Sequence, residues 1–464
     1  MFDKFREECG VFGILNHKDA ANLVYLGLYA LQHRGQESAG IASLEAGSNR
    51  ILSEKDMGYV ADVFDEARIA KLPGDTAIGH VRYSTAGGSM LCNAQPLVAS
   101  TNKGQIAVAH NGNLVNGNQL RAQLEAEGAI FNSMSDTEVF VHLIARSKTP
   151  DLESALIDTL SQVRGAYSMA LMTPDHIYAA RDPHGFRPLV IGRLDDAFVI
   201  SSETCAFDLI NAESVRELAA GEVIAIDRCD GGTTLRTVHQ FESPREARCV
   251  FEHVYFARPD SVVFGNNVAE VRQRFGAQLA RECAIDADVV VPVPDSGVFA
   301  ALGYARESGV PFAYGLVRNH YVGRTFIEPK QSIRDFGVKV KLNPVRELVA
   351  GKRVVLIDDS IVRGTTSRKI VRMLKAAGVK EVHMRISSPP TVASCYYGID
   401  TPERHNLIAN SKSLEEIRQF TEAESLGYLS EDGMLEAVRN GNGGDPRSLY
   451  CTSCFTGKYP VLAS

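Results

Sequence analysis

The sequence predicts two mixed units in series: an α+β unit of antiparallel sheets, then an α/β unit with a doubly wound parallel sheet. Three observations predict this. The chain has 464 residues, room for about three domains at roughly 150 residues each, or for two large ones. Its 23% charged and 45% hydrophobic residues are those of an ordinary globular protein. After about residue 230 the pattern changes, from short strand-like pieces between turn clusters to strands alternating with helices.

In order, residues 9–15 open as a strand, and a helix follows with Leu23, Leu26 and Ala30 on one face. Strands are expected at 76–81, 106–109, 168–172 and 198–201. Residues 136–145 read as a helix capped by Ser135, with Glu138 at the capping-box position. The turn Asp230-Gly231-Gly232 and the unpatterned polar stretch 242–246 put a boundary near 235–248. The units are then 9–238 and 239–464, after a charged leader, 1–8. In the second unit, 287–293 and 353–357 read as buried strands. Residues 365–377 form a helix with Ile370, Met373, Leu374 and Ala377 on one face, and Gly378 stops it. Residues 381–386 are the next strand. This series predicts the parallel sheet. The tail from about 411 reads as mostly helical and ends in a loop holding Cys451 and Cys454.

Composition excludes several classes. The net charge of −7 argues against a basic nucleic-acid surface. No run approaches the roughly 20 apolar residues of a membrane helix, and the N-terminus lacks the apolar core of a secretory signal. A cytoplasmic location is expected. Nine cysteines in such a chain favour thiol chemistry or metal over disulfides.

The most specific segment is Val354-Val355-Leu356-Ile357-Asp358-Asp359-Ser360-Ile361-Val362-Arg363-Gly364-Thr365-Thr366-Ser367. A buried strand ends in two carboxylates, and a short loop leads into a helix. Ligands of open α/β sheets sit at the carboxyl ends of strands, and a helix N-terminus suits phosphate. Gly364 permits close approach, and Thr365, Thr366 and Ser367 add donors. Asp358 and Asp359 suit ribose hydroxyls and Mg²⁺. This segment resembles the signature of type I phosphoribosyltransferases, which bind 5-phosphoribosyl 1-pyrophosphate (PRPP). On that resemblance, Val293-Pro294-Asp295-Ser296-Gly297 is the pyrophosphate loop, with Ser296 at a metal-contacting position. The basic stretch 318–342, with Arg324, Lys330, Arg334, Lys339 and Lys341, is then the loop that closes over substrate. By itself that stretch reads as a solvated face.

Cys9-Gly10-Val11-Phe12-Gly13-Ile14 follows the leader. Cleavage between Glu8 and Cys9 would give the thiol its own α-amino group, of ordinary pKa about 7.7–8.0, as base. The chain here resembles N-terminal-nucleophile glutamine amidotransferases, whose fold is a sandwich of two antiparallel sheets between helical layers. The motifs Gln32-His33-Arg34-Gly35, Gly79-His80-Val81-Arg82-Tyr83-Ser84-Thr85, Ala109-His110-Asn111-Gly112-Asn113 and Ser135-Asp136-Thr137-Glu138 follow in family order. The resemblance implies Cys9 as nucleophile, Arg82 and Thr85 for the glutamine carboxylate, and Asp136 for its α-amino group. It also implies Asn111 and Gly112 as the oxyanion donors.

Cys451-Thr452-Ser453-Cys454 is too short for a full metal site, and Cys249 and Cys395 are its plausible partners. Spacing leaves zinc, a redox pair and coincidence open, with zinc first. The whole arrangement resembles the iron–sulfur branch of the glutamine PRPP amidotransferases, which implies a [4Fe-4S] cluster on Cys249, Cys395, Cys451 and Cys454. Cys92, Cys205, Cys229 and Cys283 have no such match and read as small buried residues. The resemblance further implies Mg²⁺ on Ser296, Asp358 and Asp359, purine nucleotides as feedback inhibitors, a homotetramer, and neither nucleic acid nor membrane as partner. Two alternatives remain at this point: another amidotransferase sharing the glutaminase half, and a non-catalytic PRPP or nucleotide sensor.

Overall fold

A computed structural model describes residues 9–45, 48–83, 90–229, 232–320, 342–439 and 444–462. The leader, Thr85 and most of the basic loop lie outside them. The first unit is built on two antiparallel sheets. Seven strands run in the order Glu213–Glu217, Val190–Leu194, Ala197–Ser201, Gly10–Leu15, Thr76–Arg82, Ser38–Leu44, Ile51–Met57. Six run in the order Gly232–Gln240, Glu222–Cys229, His176–Arg181, Gly165–Met172, Gly104–Leu114, Leu97–Thr101.

Alternation along the strands divides the core into layers. Val11, Leu15 and Ile78 of one sheet meet Ala107, Ala109 and Met172 of the other. Their neighbours Phe12 and Ile14 face outward onto helix Ala20–Ala30. On the opposite outer face, Val108, Met169 and Leu171 pack against helices Thr137–Arg146 and Leu152–Gln162. The result is helix, sheet, sheet, helix.

The first helix buries Val24, Leu28 and Ala30, whereas Leu23 and Leu26 are only partly covered. Gly27 sets this rotation. A Cβ there would lie 2.5 Å from the Phe12 ring, so the glycine side faces the sheet. Counting only large apolar residues picks the wrong edge of the stripe. A second correction concerns the capping box, not the cap itself. Ser135 Oγ accepts from the Thr137 N–H at 3.3 Å at the start of helix Thr137–Arg146. Glu138 instead accepts from the backbone N–H groups of Asn132 and Ser133 at 2.8 and 2.7 Å.

The second unit carries four parallel strands in the order Val289–Pro292, Arg353–Asp358, Glu381–Ile386, Ser425–Tyr428. The fourth interrupts the tail that reads as mostly helical; it is short, so it gives no long apolar run. Both faces of the sheet are buried. Val291, Val354 and Leu356 meet Ile370 and Leu374 of helix Thr365–Ala376. Val290, Val355 and Ile357 meet Val271, Phe275 and Leu279 of helix Val268–Glu282. Each such side chain contributes about 1.5–3 kcal/mol by leaving water. The cysteines outside the quartet correct another expectation: Cys205 is buried, but Cys92 and Cys229 are exposed and Cys283 is partly so. Among the described residues, no helix is long and apolar enough to cross a membrane.

Candidate functional site

Two sites emerge, one in each unit. Cys9 precedes the central strand Gly10–Leu15, where Gly10 pairs with Val81, next to Arg82. The thiol is 8% exposed, and its sulfur lies 3.7 Å from the Tyr83 carbonyl. Arg34 Nε donates to the Cys9 carbonyl at 3.1 Å, fixing the residue from behind. The segment expected to supply the oxyanion donors lies within a strand of the other sheet: Gly104–Leu114 runs through Asn111 and Gly112, longer than the 106–109 expected. His80 stitches the sheets together. Its Nε2 donates to the His110 carbonyl at 3.0 Å, and burial depresses its pKa to about 3, so the ring is neutral.

Asn111 is 1% exposed, and its Nδ2 has no hydrogen-bond partner among the described residues. A buried amide donor normally has a partner. Asp136 is held beside this strand, its Oδ2 accepting from the Leu114 N–H at 2.9 Å. It lines a cavity of about 230 Å³ with Leu114, Arg121, Ser135 and Tyr396. The cavity has this carboxylate at its wall and Asn113 and Leu114, the end of that strand, along one side. Arg82 is buried, with Nη1 3.7 Å from Glu37.

A buried charge network that sequence reading missed joins this site to the second unit. Arg34 pairs with Glu203, and with Glu252 at 2.7 Å. Glu252 in turn lies 3.4 Å from Arg187, and all four side chains are fully buried. Burial pushes the Glu203 carboxyl up, but His33 and Arg34 outweigh it and hold the pKa well below normal. Removing one member of such a set leaves an uncompensated buried charge, at a cost of about 3–5 kcal/mol. Glu252 belongs to a single π-type turn, Glu252–Phe256, a feature that no apolar period announces.

The second site sits at the carboxyl ends of the parallel strands. Val290 bridges in parallel to Phe312 on one side, while Val289–Pro292 pairs with Arg353–Asp358 on the other. The chain therefore reverses its winding between these strands, which makes their ends a topological switch point. Both sequence-read loops converge there: a Cβ on Gly297 would lie 2.4 Å from the Ile357 carbonyl oxygen. Asp358 and Asp359 are each 1% exposed, and the Asp359 N–H donates to Asp358 at 3.0 Å. Gly364 adopts φ +78° just before helix Thr365–Ala376, a conformation glycine takes without strain. Thr366 and Ser367 are buried and Thr365 is exposed at the helix start. Arg272 is buried too; burial lowers its pKa to about 10 against the opposing charge of Asp359. Arg318 pairs with Asp295 of the other loop at 2.8 Å.

The four cysteines also converge. Cys249 and Cys451 stand opposite each other in a parallel strand pair. Burial raises the Cys454 thiol well above its usual pKa, and Cys249, Cys451 and Cys395 add to the effect. Burial likewise lifts Cys395 to about 11. Among the described residues, no three His, Cys, Asp or Glu side chains are grouped tightly enough to ligate one ion as they stand. Four buried or partly buried thiols brought together are, once deprotonated, a donor set chemically suited to an iron–sulfur centre.

Residues 80–208 match the glutamine amidotransferase domain family and residues 265–388 the phosphoribosyl transferase domain family. Fold and sites thus define a glutamine amidotransferase joined to a phosphoribosyltransferase. The chain is 49% identical over 456 residues to the amidophosphoribosyltransferase of Bacillus subtilis, covering 98% of this chain and 94% of the relative. It is 55% identical over 461 residues to the chloroplastic amidophosphoribosyltransferase 2 of Arabidopsis thaliana, covering 99% and 80%. A solved glutamine PRPP amidotransferase from B. subtilis, complexed with ADP and GMP, superposes with TM-score 0.91 at 47% identity over 98% of both chains. The chain belongs to the amidophosphoribosyltransferase family.

Proposed function

We propose that the two sites perform the two halves of one reaction: PRPP + glutamine + water → 5-phosphoribosylamine + pyrophosphate + glutamate, the opening step of purine synthesis. Cys9, freed as the first residue of unit 9–238 by removal of the leader 1–8, attacks the glutamine amide with its own α-amino group as base. The observation that carries this reading is the buried Asn111 amide, unpartnered among the described residues, on the strand stitched through His80 to the neighbour of the nucleophile strand. Such a donor is available to the oxyanion of a tetrahedral intermediate, with the Gly112 N–H as its companion. Arg82 and Thr85 take the glutamine carboxylate, for which a guanidinium fork is suited, and Asp136 takes the α-amino group. Ammonia then crosses inside the protein to unit 239–464, because in neutral water most of it would become non-nucleophilic ammonium.

There the helix N-terminus from Gly364 through Ser367 holds the PRPP 5-phosphate, and Asp358 and Asp359 hold the ribose hydroxyls. Mg²⁺ fits Ser296, Asp358 and Asp359; when bound it offsets charge on the departing pyrophosphate. Cys249, Cys395, Cys451 and Cys454 would hold a [4Fe-4S] cluster, which when bound fastens the C-terminal tail to the second unit. The same proposal includes purine-nucleotide inhibition, supported by the ADP and GMP named for the Bacillus relative, together with a homotetramer and a cytoplasmic location.

The reaction is tested by timing glutamate, pyrophosphate and phosphoribosylamine release with and without PRPP. Equal yields of all three, dependent on PRPP, are expected; amination of another sugar phosphate at a comparable rate defeats the assignment. The cluster is tested on protein purified without oxygen. Brown colour, iron and acid-labile sulfide are expected, with bleaching in air, and stoichiometric zinc without iron refutes it.

A further inference from the structure

The glutamine cavity is not closed by its own unit. Tyr396, far along the second unit, lines it beside residues of the first. The Asn113 side chain donates to the Tyr396 carbonyl at 2.9 Å, two residues beyond the proposed oxyanion amide of Asn111. Tyr396 lines the cavity together with Asp136. Gly398 lies directly on Gly112: a Cβ at Gly398 would stand 3.0 Å from Gly112 C and 3.1 Å from its Cα. Gly398 also has φ +107°, which L side chains rarely adopt.

The segment around Tyr396 is anchored on several sides. Arg187 donates through Nε and Nη2 to the Tyr397 carbonyl at 3.1 and 2.9 Å. The Tyr397 ring stacks on Phe186 with centroids 4.1 Å apart, and its hydroxyl donates to the Val461 carbonyl at 2.7 Å. Arg187 also reaches back into the glutaminase sheet. Its carbonyl accepts from Ser168 Oγ at 3.0 Å, and Ser168 is the ladder partner of Asn111. The loop and the oxyanion strand are therefore held by one set of buried contacts.

We propose that Tyr396 and Gly398 are positioning residues of the glutaminase site, supplied by the phosphoribosyl unit. Gly398 holds Gly112 at its Cα and carbonyl and so fixes the residue whose N–H faces the developing oxyanion. Tyr396 closes the end of the cavity that receives the α-amino side of glutamine. The inference rests on the reading of Asn111 and Gly112 given above. It makes complete glutamine turnover a property of the docked pair of units, since the second unit supplies Tyr396 to the cavity lining and Gly398 to the Gly112 backbone.

The test uses the full, processed chain with Gly398→Ala and Tyr396→Ala. In Gly398→Ala the added methyl displaces the Gly112 peptide. Glutamine kcat is expected to fall on the order of 10²-fold, the usual cost of one misplaced oxyanion donor, with KM within threefold. Ammonia-dependent synthesis and alkylation of Cys9 by iodoacetamide should stay within twofold, which a general loss of structure would not allow. Tyr396→Ala is expected to raise the glutamine KM roughly tenfold at little change in kcat. Unchanged glutamine turnover in Gly398→Ala, or equal loss of ammonia-dependent synthesis, overturns the proposal. If Gly398→Ala does not fold, an unchanged KM in Tyr396→Ala overturns it instead. Cys9→Ala serves as the control: were it still to hydrolyse glutamine, the underlying reading would fail, whichever way the Tyr396 and Gly398 variants behave.

Discussion

Cys9→Ala is expected to lose glutamine-dependent synthesis on the order of 10⁴-fold or more while keeping synthesis from ammonia. No other group in the described site can replace the thiol. The surrounding machinery supplies an amide donor, a carboxylate and a guanidinium, none of which forms an acyl intermediate. Loss of a nucleophile removes the covalent step itself and leaves only what binding and oxyanion donors offer to water. Ammonia enters after that step, at the second unit, so its use should persist and should rise with pH as more of it is unprotonated. The fold should tolerate the change, because Cys9 contributes one small buried side chain and the Arg34 bond goes to its backbone carbonyl. Intact mass gives the companion result: active wild-type chain should begin at Cys9, and full turnover by chain still carrying Met1 would overturn the self-activated thiol. Glutamine hydrolysis surviving in Cys9→Ala would overturn the nucleophile.

What could be read from sequence divides along a physical line. Asp358, Gly364 and Ser367 could be singled out because strand, loop and helix are consecutive, so the proposed phosphate site is nearly complete in one segment. Cys9, Arg82, Asn111 and Asp136 were legible only through four motifs matched to a known family; their mutual placement depends on strand pairing and on the His80 to His110 stitch. Nothing local marks Glu252 as the partner of Arg34, since 218 residues separate them and each alone reads as a surface charge. Tyr396 and Gly398 were hidden for the same reason. A Tyr-Tyr-Gly stretch beside a cysteine carries no period and no capping signal, and its meaning comes from the Gly112 backbone against which it lies. Strand Ser425–Tyr428 was missed because four residues are too few to show alternation.

Asp358→Asn isolates the other half of the reaction. The substitution keeps size and one oxygen, so the bond from the Asp359 N–H at 3.0 Å can persist while the charge is lost. Removing a charge that is 1% exposed also removes its desolvation cost, so the melting temperature should change little. Chemistry should suffer instead. On the proposed reading this carboxylate would help hold a cation that compensates the departing pyrophosphate, and the ribose hydroxyls would lose an ionised acceptor. A single electrostatic contact aimed at developing charge is worth about 10²–10³ in rate. PRPP-dependent synthesis is therefore expected to fall by that factor, and by the same factor whether nitrogen comes from glutamine or from free ammonia. Equality is the decisive feature: both nitrogen sources share the sugar carbon but only one uses the thiol site. Basal hydrolysis of glutamine without PRPP should be unaffected, since Cys9 and Asn111 belong to the other unit. A loss confined to glutamine would instead place Asp358 in communication between units, and unchanged PRPP kinetics would remove it from the sugar site altogether.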